Sequence, residues 1–246
     1  MKAYFDCDIG RVRSENQDSV LALEFPDGVL ALVCDGMGGM QNGSAASRIA
    51  ISTAQERFCS EYKEGMDAEA VCELLRTCTA DANRNVYQEA VHAEVPSRMG
   101  TTLVGAFVRS SVACIVNVGD SRCYLISAEG PARQLTTDHT VVQLLYEQGV
   151  ITAQERATHV RRNELMRAVG VSGRVLPDTR IVPISPGDRI LLCSDGLYGM
   201  VSDTELAELV RQCAPSELPA RAIAAANEHG GRDNISVAVI DPAEEA

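Results

Sequence analysis

Residues 102–127 read TLVGAFVRSSVACIVNVGDSRCYLIS, and their pattern sets the fold class. Three apolar, β-type runs, Thr102–Val108, Val112–Val118 and Arg122–Ser127, are separated by Arg109-Ser110 and by Gly119-Asp120-Ser121. Connections this short return a strand antiparallel to its neighbour, because a parallel return needs a dozen or more residues. Upstream, Val29–Cys34 is a continuous apolar run stopped by Asp35-Gly36, the mark of a buried strand. Lys2–Cys7 is short and fits an edge strand. Helical spacing runs from Ser44 to about Tyr62 and again from about Asp67 to Ala90.

Downstream lies a polar helical stretch, Thr140–Val169, with a capping-box pattern from Thr152 to Glu155. A strand, Arg189–Cys193, then ends at Ser194-Asp195-Gly196. Helices open near Ser202, with Glu205 three residues on, and near Ser216, and Ile235–Ile240 closes the series as a strand. Strands, paired helices, antiparallel strands, a helical insert and paired helices again predict an α+β fold. The architecture expected is an αββα four-layer sandwich, two antiparallel β-sheets flanked by helix pairs. Strict βαβ alternation does not fit. With no repeat or Pro/Gly-rich linker, one domain is expected over residues 1–246.

Composition removes several classes of function. The net charge of −12 disfavours nucleic acid and anionic membranes as partners. Aromatics at 4%, with no Trp, leave little for stacking bases. The nine Cys fall mostly in apolar runs, as at Cys34, Cys114 and Cys193, and form no CxxC pair. They read as buried free thiols of a reducing cytoplasm rather than as zinc ligands. No apolar run reaches ~18 residues and no leader pattern opens the chain, so no membrane insertion is expected.

The chemistry is carried by a repeated device. Asp35 in VCDGMGG, Asp120 in VNVGDSR and Asp195 in LLCSDGL each follow an apolar strand, and Asp233 in GGRDN leads into the last one. Asp-Gly alone is ordinary turn punctuation. Four such acids on the strands of one sandwich, however, would meet at a shared rim. Each like-charge pair ~4 Å apart costs about 4 kcal/mol at an effective dielectric near 20. Divalent cations remove that cost, and all-oxygen ligation selects Mg²⁺ or Mn²⁺ over zinc. Gly36 lets a backbone carbonyl approach an ion, and the Gly38-Gly39 pair keeps the turn clear of side chains. Arg13-Ser14-Glu15-Asn16-Gln17-Asp18 is either a surface ion pair or a guanidinium fork for a phosphoryl group.

Taken in order, RSENQD (13–18), VCDGMGG (33–39), MGTT (99–102), VGDSR (118–122), LTTDHT (135–140), CSDGL (193–197) and GGRDN (230–234) resemble the type 2C metal-dependent serine/threonine protein phosphatases. The segment at about 140–170 looks like the flap of the bacterial branch. The resemblance implies hydrolysis of phosphoserine and phosphothreonine by in-line attack of a metal-activated water, with no phospho-enzyme. It implies two core Mn²⁺ or Mg²⁺ ions and a third. Asp35 would bridge the core pair, the Gly36 carbonyl would bind one ion, and Asp195 and Asp233 would complete the set. Asp120, with Asp195, would hold the third ion. Arg13 would hold the substrate phosphate, and Asp18 would accept a hydrogen bond from water on the ions. Phosphorylated proteins as substrates, an opposing bacterial serine/threonine kinase, and a monomeric state complete the expectation.

One departure concerns proton supply. Met37 stands where some relatives carry a His proposed as the general acid, and a thioether cannot donate a proton. A water on the third ion is the first replacement, and His139 the second. Two rival readings remain. Cys78–Arg84 has the bare C-x5-R spacing of a Cys-dependent phosphatase, but it lacks glycines and lies in a predicted helix. The other rival is an inactive phosphoprotein-binding pseudophosphatase, which would have no need to keep an acidic cluster.

Overall fold

The computed structural model describes residues 1–38, 42–92, 99–127 and 130–242. The elements in chain order are β1 (Lys2–Asp8), β2 (Asp18–Phe25), β3 (Gly28–Met37), α1 (Asn42–Glu61), α2 (Ala68–His92), β4 (Gly100–Thr101), β5 (Leu103–Arg109), β6 (Val112–Val118), β7 (Arg122–Ile126) and β8 (Ala132–Gln134). There follow α3 (Val141–Glu147), α4 (Ala153–Thr158), β9 (Asp178–Pro183), β10 (Arg189–Cys193), α5 (Asp195–Tyr198), α6 (Asp203–Gln212), α7 (Leu218–Glu228) and β11 (Ile235–Asp241). One sheet runs β1-β11-β10-β7-β8 and the other β2-β3-β5-β6-β9, with β4 paired to β3. Every strand pairing is antiparallel.

Side-chain alternation sorts the strands into layers. On β3, Val29, Ala31 and Val33 face the opposing sheet, where they meet Ile190, Leu192, Ala238 and Ile240. Leu30, Leu32 and Cys34 face the other way, onto α1 and α2. A strand covered on both faces has no need of polar alternation, hence the unbroken VLALVC. On the far sheet Tyr124, Leu191, Cys193, Val237 and Val239 pack under α5, α6 and α7. The result is the αββα sandwich. Phe25, Phe58, Tyr62 and Phe107 make a ring cluster under α1, with Phe58 stacked on Tyr62 at 5.1 Å.

Several local expectations need correction. Gly119-Asp120-Ser121 is no hairpin turn: β6 and β7 belong to different sheets, so this turn carries the chain across the sandwich. Asp35 lies inside β3, not in the turn after it. Residues 140–169 are not one helical stretch. They hold only α3 and α4, then turns pinned by bridges Thr140↔Leu165 and Thr101↔Val169. The Thr152–Glu155 capping box does open α4. Ser202 caps α6 through the Glu205 N–H, and α7 begins at Leu218, near the expected Ser216, with Pro219 in its first turn. Strands β2, β8 and β9 were not anticipated. Gly39 lies outside the described residues.

Candidate active site

At one end of the two sheets is a cleft of about 750 Å³. Arg13, Asp35, Gly36, Met37, Asp120, Asp195 and Asp233 all line it, and the flap contributes Asn163 to Ala168 on the far wall. Asp18 stands behind Asp35, its direct partner in the β2–β3 ladder.

Backbone and hydroxyl contacts hold each acid in place. The Asp35 N–H donates to Thr102 Oγ1 at 2.9 Å, while the Thr102 N–H and the Thr101 hydroxyl donate to the Asp35 carbonyl at 2.9 and 2.8 Å. The Thr102 hydroxyl also meets Ser121 Oγ at 2.6 Å. The Thr pair therefore ties Asp35 to the turn bearing Asp120. Gly119 in that turn has φ +104°, and a Cβ there would sit 2.6 Å from Thr102 Cγ2, so glycine is required. His139 completes the mount: its N–H donates to the Gly119 carbonyl at 2.9 Å, and its Nδ1 accepts from the Gly119 N–H at 3.1 Å. Nε2 faces Asp178 at 3.1 Å. His139 is thus spent on holding the Asp120 turn, and it is not among the residues lining the cleft.

Asn234 organises the opposite side. Its side chain accepts from the Gln17 N–H at 2.9 Å and donates to the carbonyls of Ile9 and Glu15 at 3.0 and 2.9 Å. This clamp fixes the loop carrying Arg13. Gly196 packs so tightly on the same turn that a Cβ would lie 2.0 Å from the Asn234 carbonyl, which sets Asp195 beside Asp233. Arg13 Nη2 donates to Asp233 Oδ2 at 2.6 Å. Thr101, Thr102 and Asn234 had no assigned role from the sequence. They act through neighbours' backbones, a function that residue type does not announce.

The electrostatics are those of uncompensated acids. Asp35 is pushed well above the ordinary carboxylate range by loss of solvation, then by the charges of Asp18, Asp195, Asp120 and Asp233. Asp195 rises to about 6 for want of solvation and through Asp233, and Asp120 to about 7 for want of solvation and through Asp195 and Asp138. Asp18 reaches about 7, chiefly by burial. Ser194 and Ser236 lean toward its carboxylate and oppose the rise, yet neither of its oxygens has a hydrogen-bond partner within normal geometry among the described residues. Buried oxygens without donors, beside acids crowded into raised pKa values, leave a deficit of positive charge.

The donor set fits hard dications. It is all oxygen, with carboxylates and the Gly36 backbone on one wall. Among the described residues no three His, Cys, Asp or Glu side chains converge as a ready-made cage. Strongly hydrated ions such as Mg²⁺ need none, since they keep several waters and take only one or two carboxylates.

The sequence model of protein phosphatase 2C matches residues 11–227. The chain belongs to the protein phosphatase 2C family. It is 38% identical over 243 residues to the serine/threonine phosphatase stp of Listeria monocytogenes, covering 98% of this chain and 96% of that one. Stp1 of Staphylococcus aureus has the same fold, with a TM-score of 0.90 at 32% identity, over 100% of this chain and 95% of that one. The catalytic domain of PstP, solved with two manganese ions, gives 0.84 at 32% identity over 98% and 97%. As a protein phosphatase 2C the chain is an enzyme, a metal-dependent protein phosphatase. The Cys-dependent rival fails on geometry as well: Cys78 is buried within α2, and Arg84 is paired with Asp81 at 2.7 Å.

Proposed function

We infer that this phosphatase hydrolyses phosphoserine and phosphothreonine in proteins, with Asp35, the Gly36 carbonyl, Asp195 and Asp233 holding two core Mn²⁺ or Mg²⁺ ions. The observation that carries the reading is the crowding of Asp35, Asp120, Asp195 and Asp233 on one cleft beside Arg13. When bound, the ions lower the pKa of water and neutralise charge on the phosphoryl oxygens.

The chain's own groups do the rest. Among the described residues Arg13 uses only Nη2, on Asp233, so the other guanidinium donors are available to grip two phosphoryl oxygens. That grip orients the phosphorus for in-line attack from the acidic wall. Asp18, whose two oxygens have no partner among the described residues, accepts hydrogen bonds from water in the cleft and holds that water in register. Asp120, with Asp195, would hold a third ion. Met37 lines the cleft but has no proton to give, and His139 is committed to Gly119. Neither protonates the leaving group.

The physiological setting we propose is cytoplasmic signalling, in which a monomeric phosphatase opposes a bacterial serine/threonine kinase. No helix among the described residues is long and apolar enough to cross a membrane. The decisive test is release of phosphate from a phosphothreonine peptide with Mn²⁺ or Mg²⁺, with and without EDTA. Turnover is expected only with the ion; undiminished hydrolysis in metal-stripped buffer would overturn the assignment.

A further inference from the structure

A second cavity, of about 370 Å³, adjoins the catalytic cleft under the flap. The two share Asp120, Asn163 and Asp195 as a common wall. Beyond that wall the cavity is lined by Arg122, Arg156 and Arg162. Their states differ. Arg122 is neutralised: Nε and Nη2 grip Asp138 at 3.0 and 2.7 Å, and its guanidinium lies 3.6 Å above the Tyr198 ring. Arg156 donates to the uncharged Gln143 and stands 5.2 Å over the Tyr146 ring. Arg162 has no side-chain partner among the described residues.

The flap could have paired these charges, because it does so elsewhere. Arg161 is bound to Glu164 at 2.6 Å, and Arg167 to Asp178 at 2.7 Å. Neither of those two lines the second cavity. Arg161 and Arg167 are thus satisfied by acids, whereas Arg156 and Arg162 face the hollow beside the site of reaction with no acid paired to them among the described residues. Asp120 and Asp195 would repel an anion there on their own, but in the loaded enzyme the ions balance them.

We propose that this hollow is an anion subsite that binds a second phosphoryl group of the same substrate. The inference rests on the proposed cleft chemistry and adds a specificity to it. An extended peptide puts side chains i and i+2 on one face, about 6.6 Å apart, which suits two adjoining cavities. A dianionic phosphoryl group engages two guanidinium forks better than a carboxylate does. The favoured substrate is therefore phosphothreonine with a second phosphorylated residue two places away.

The test compares kcat/KM of the Mn²⁺-loaded enzyme on peptides with one reactive phosphothreonine. Two places before or after it they carry a non-hydrolysable phosphonate analogue of phosphothreonine, Glu, or Ala. The phosphonate peptide, on one side at least, is expected to exceed the Ala peptide about tenfold, the worth of a charge-assisted contact. Arg156→Gln and Arg162→Gln should each remove most of that gain while Ala-peptide rates stay within about twofold. Arg161→Gln should keep it. The Arg162 side chain has no partner to lose among the described residues, so its variant separates loss of the subsite from loss of folding. Equal rates for phosphonate and Ala peptides on both sides, a gain that survives in the double variant, or a Glu peptide as good as the phosphonate would each overturn the proposal. Failure of the wild-type enzyme on the Ala peptides as well would count against the cleft assignment instead.

Discussion

Asp18 lies directly opposite Asp35 across the β2–β3 ladder, and its charge raises the cost of ionising Asp35. Like charges facing each other on neighbouring strands destabilise a sheet. Here the two Asp18 oxygens are also buried and unpartnered. Such a pair is kept for what it binds, not for the stability of the metal-free fold.

Asp18→Asn should therefore stabilise the ion-free protein and weaken its hold on ions. In EDTA, calorimetry should show Tm rising, with each kcal/mol worth about 2–4 °C at this size. Mn²⁺ titration should show affinity lower by about tenfold or more. A lower Tm in EDTA would mean that Asp18 is already compensated in the fold.

Asp35→Asn and Asp195→Asn each replace a charged oxygen on the cleft wall. Each should cost at least ~10³-fold in activity at saturating Mn²⁺. Near-normal turnover on a phosphothreonine peptide in either variant would remove that residue from the site.

Arg13→Ala should raise KM more than it lowers kcat, since the guanidinium grips the phosphoryl group before and during reaction. Its fold stability should change little, because the Arg13–Asp233 pair is exposed, with 53% of the arginine side chain open to solvent. Steady-state kinetics showing an unaltered KM would contradict the assignment.

His139 supplies a pH dependence with a definite sign. Burial first, then Arg167, holds its pKa below the ordinary value, against the opposing pull of Asp178 and Asp138. The unfolded chain then binds the proton more tightly, so stability is complete above about pH 6.5 and is lost as pH falls below it. Protonation also removes the acceptor for the Gly119 N–H. His139→Ala should cost about 1–3 kcal/mol at neutral pH and flatten this acid limb of the Tm–pH curve. An unchanged limb would place the titration elsewhere.

The layered fold was legible because burial on both faces leaves long apolar runs such as VLALVC and VACIVNV. β9, DTRIVP, escaped notice because it is a largely exposed edge strand with no such run. The segment at 140–169 misled for the opposite reason. Helix-forming residues and a true capping box suggested a long helix, but the chain from 159 onward is set by bridges to Thr101 and Thr140, which are tertiary. The acids around the cleft were visible as Asp at strand ends. The clamps that aim them were not, because Asn234 and the Thr101-Thr102 pair work through distant backbone groups.

Asn234 also has a kinetic consequence. Its side chain joins positions 217 to 225 residues apart. Contacts of such long sequence separation form slowly, because the loop must be closed before they repay its entropy. The aim of Arg13 is therefore set late in folding, after the local helices and hairpins.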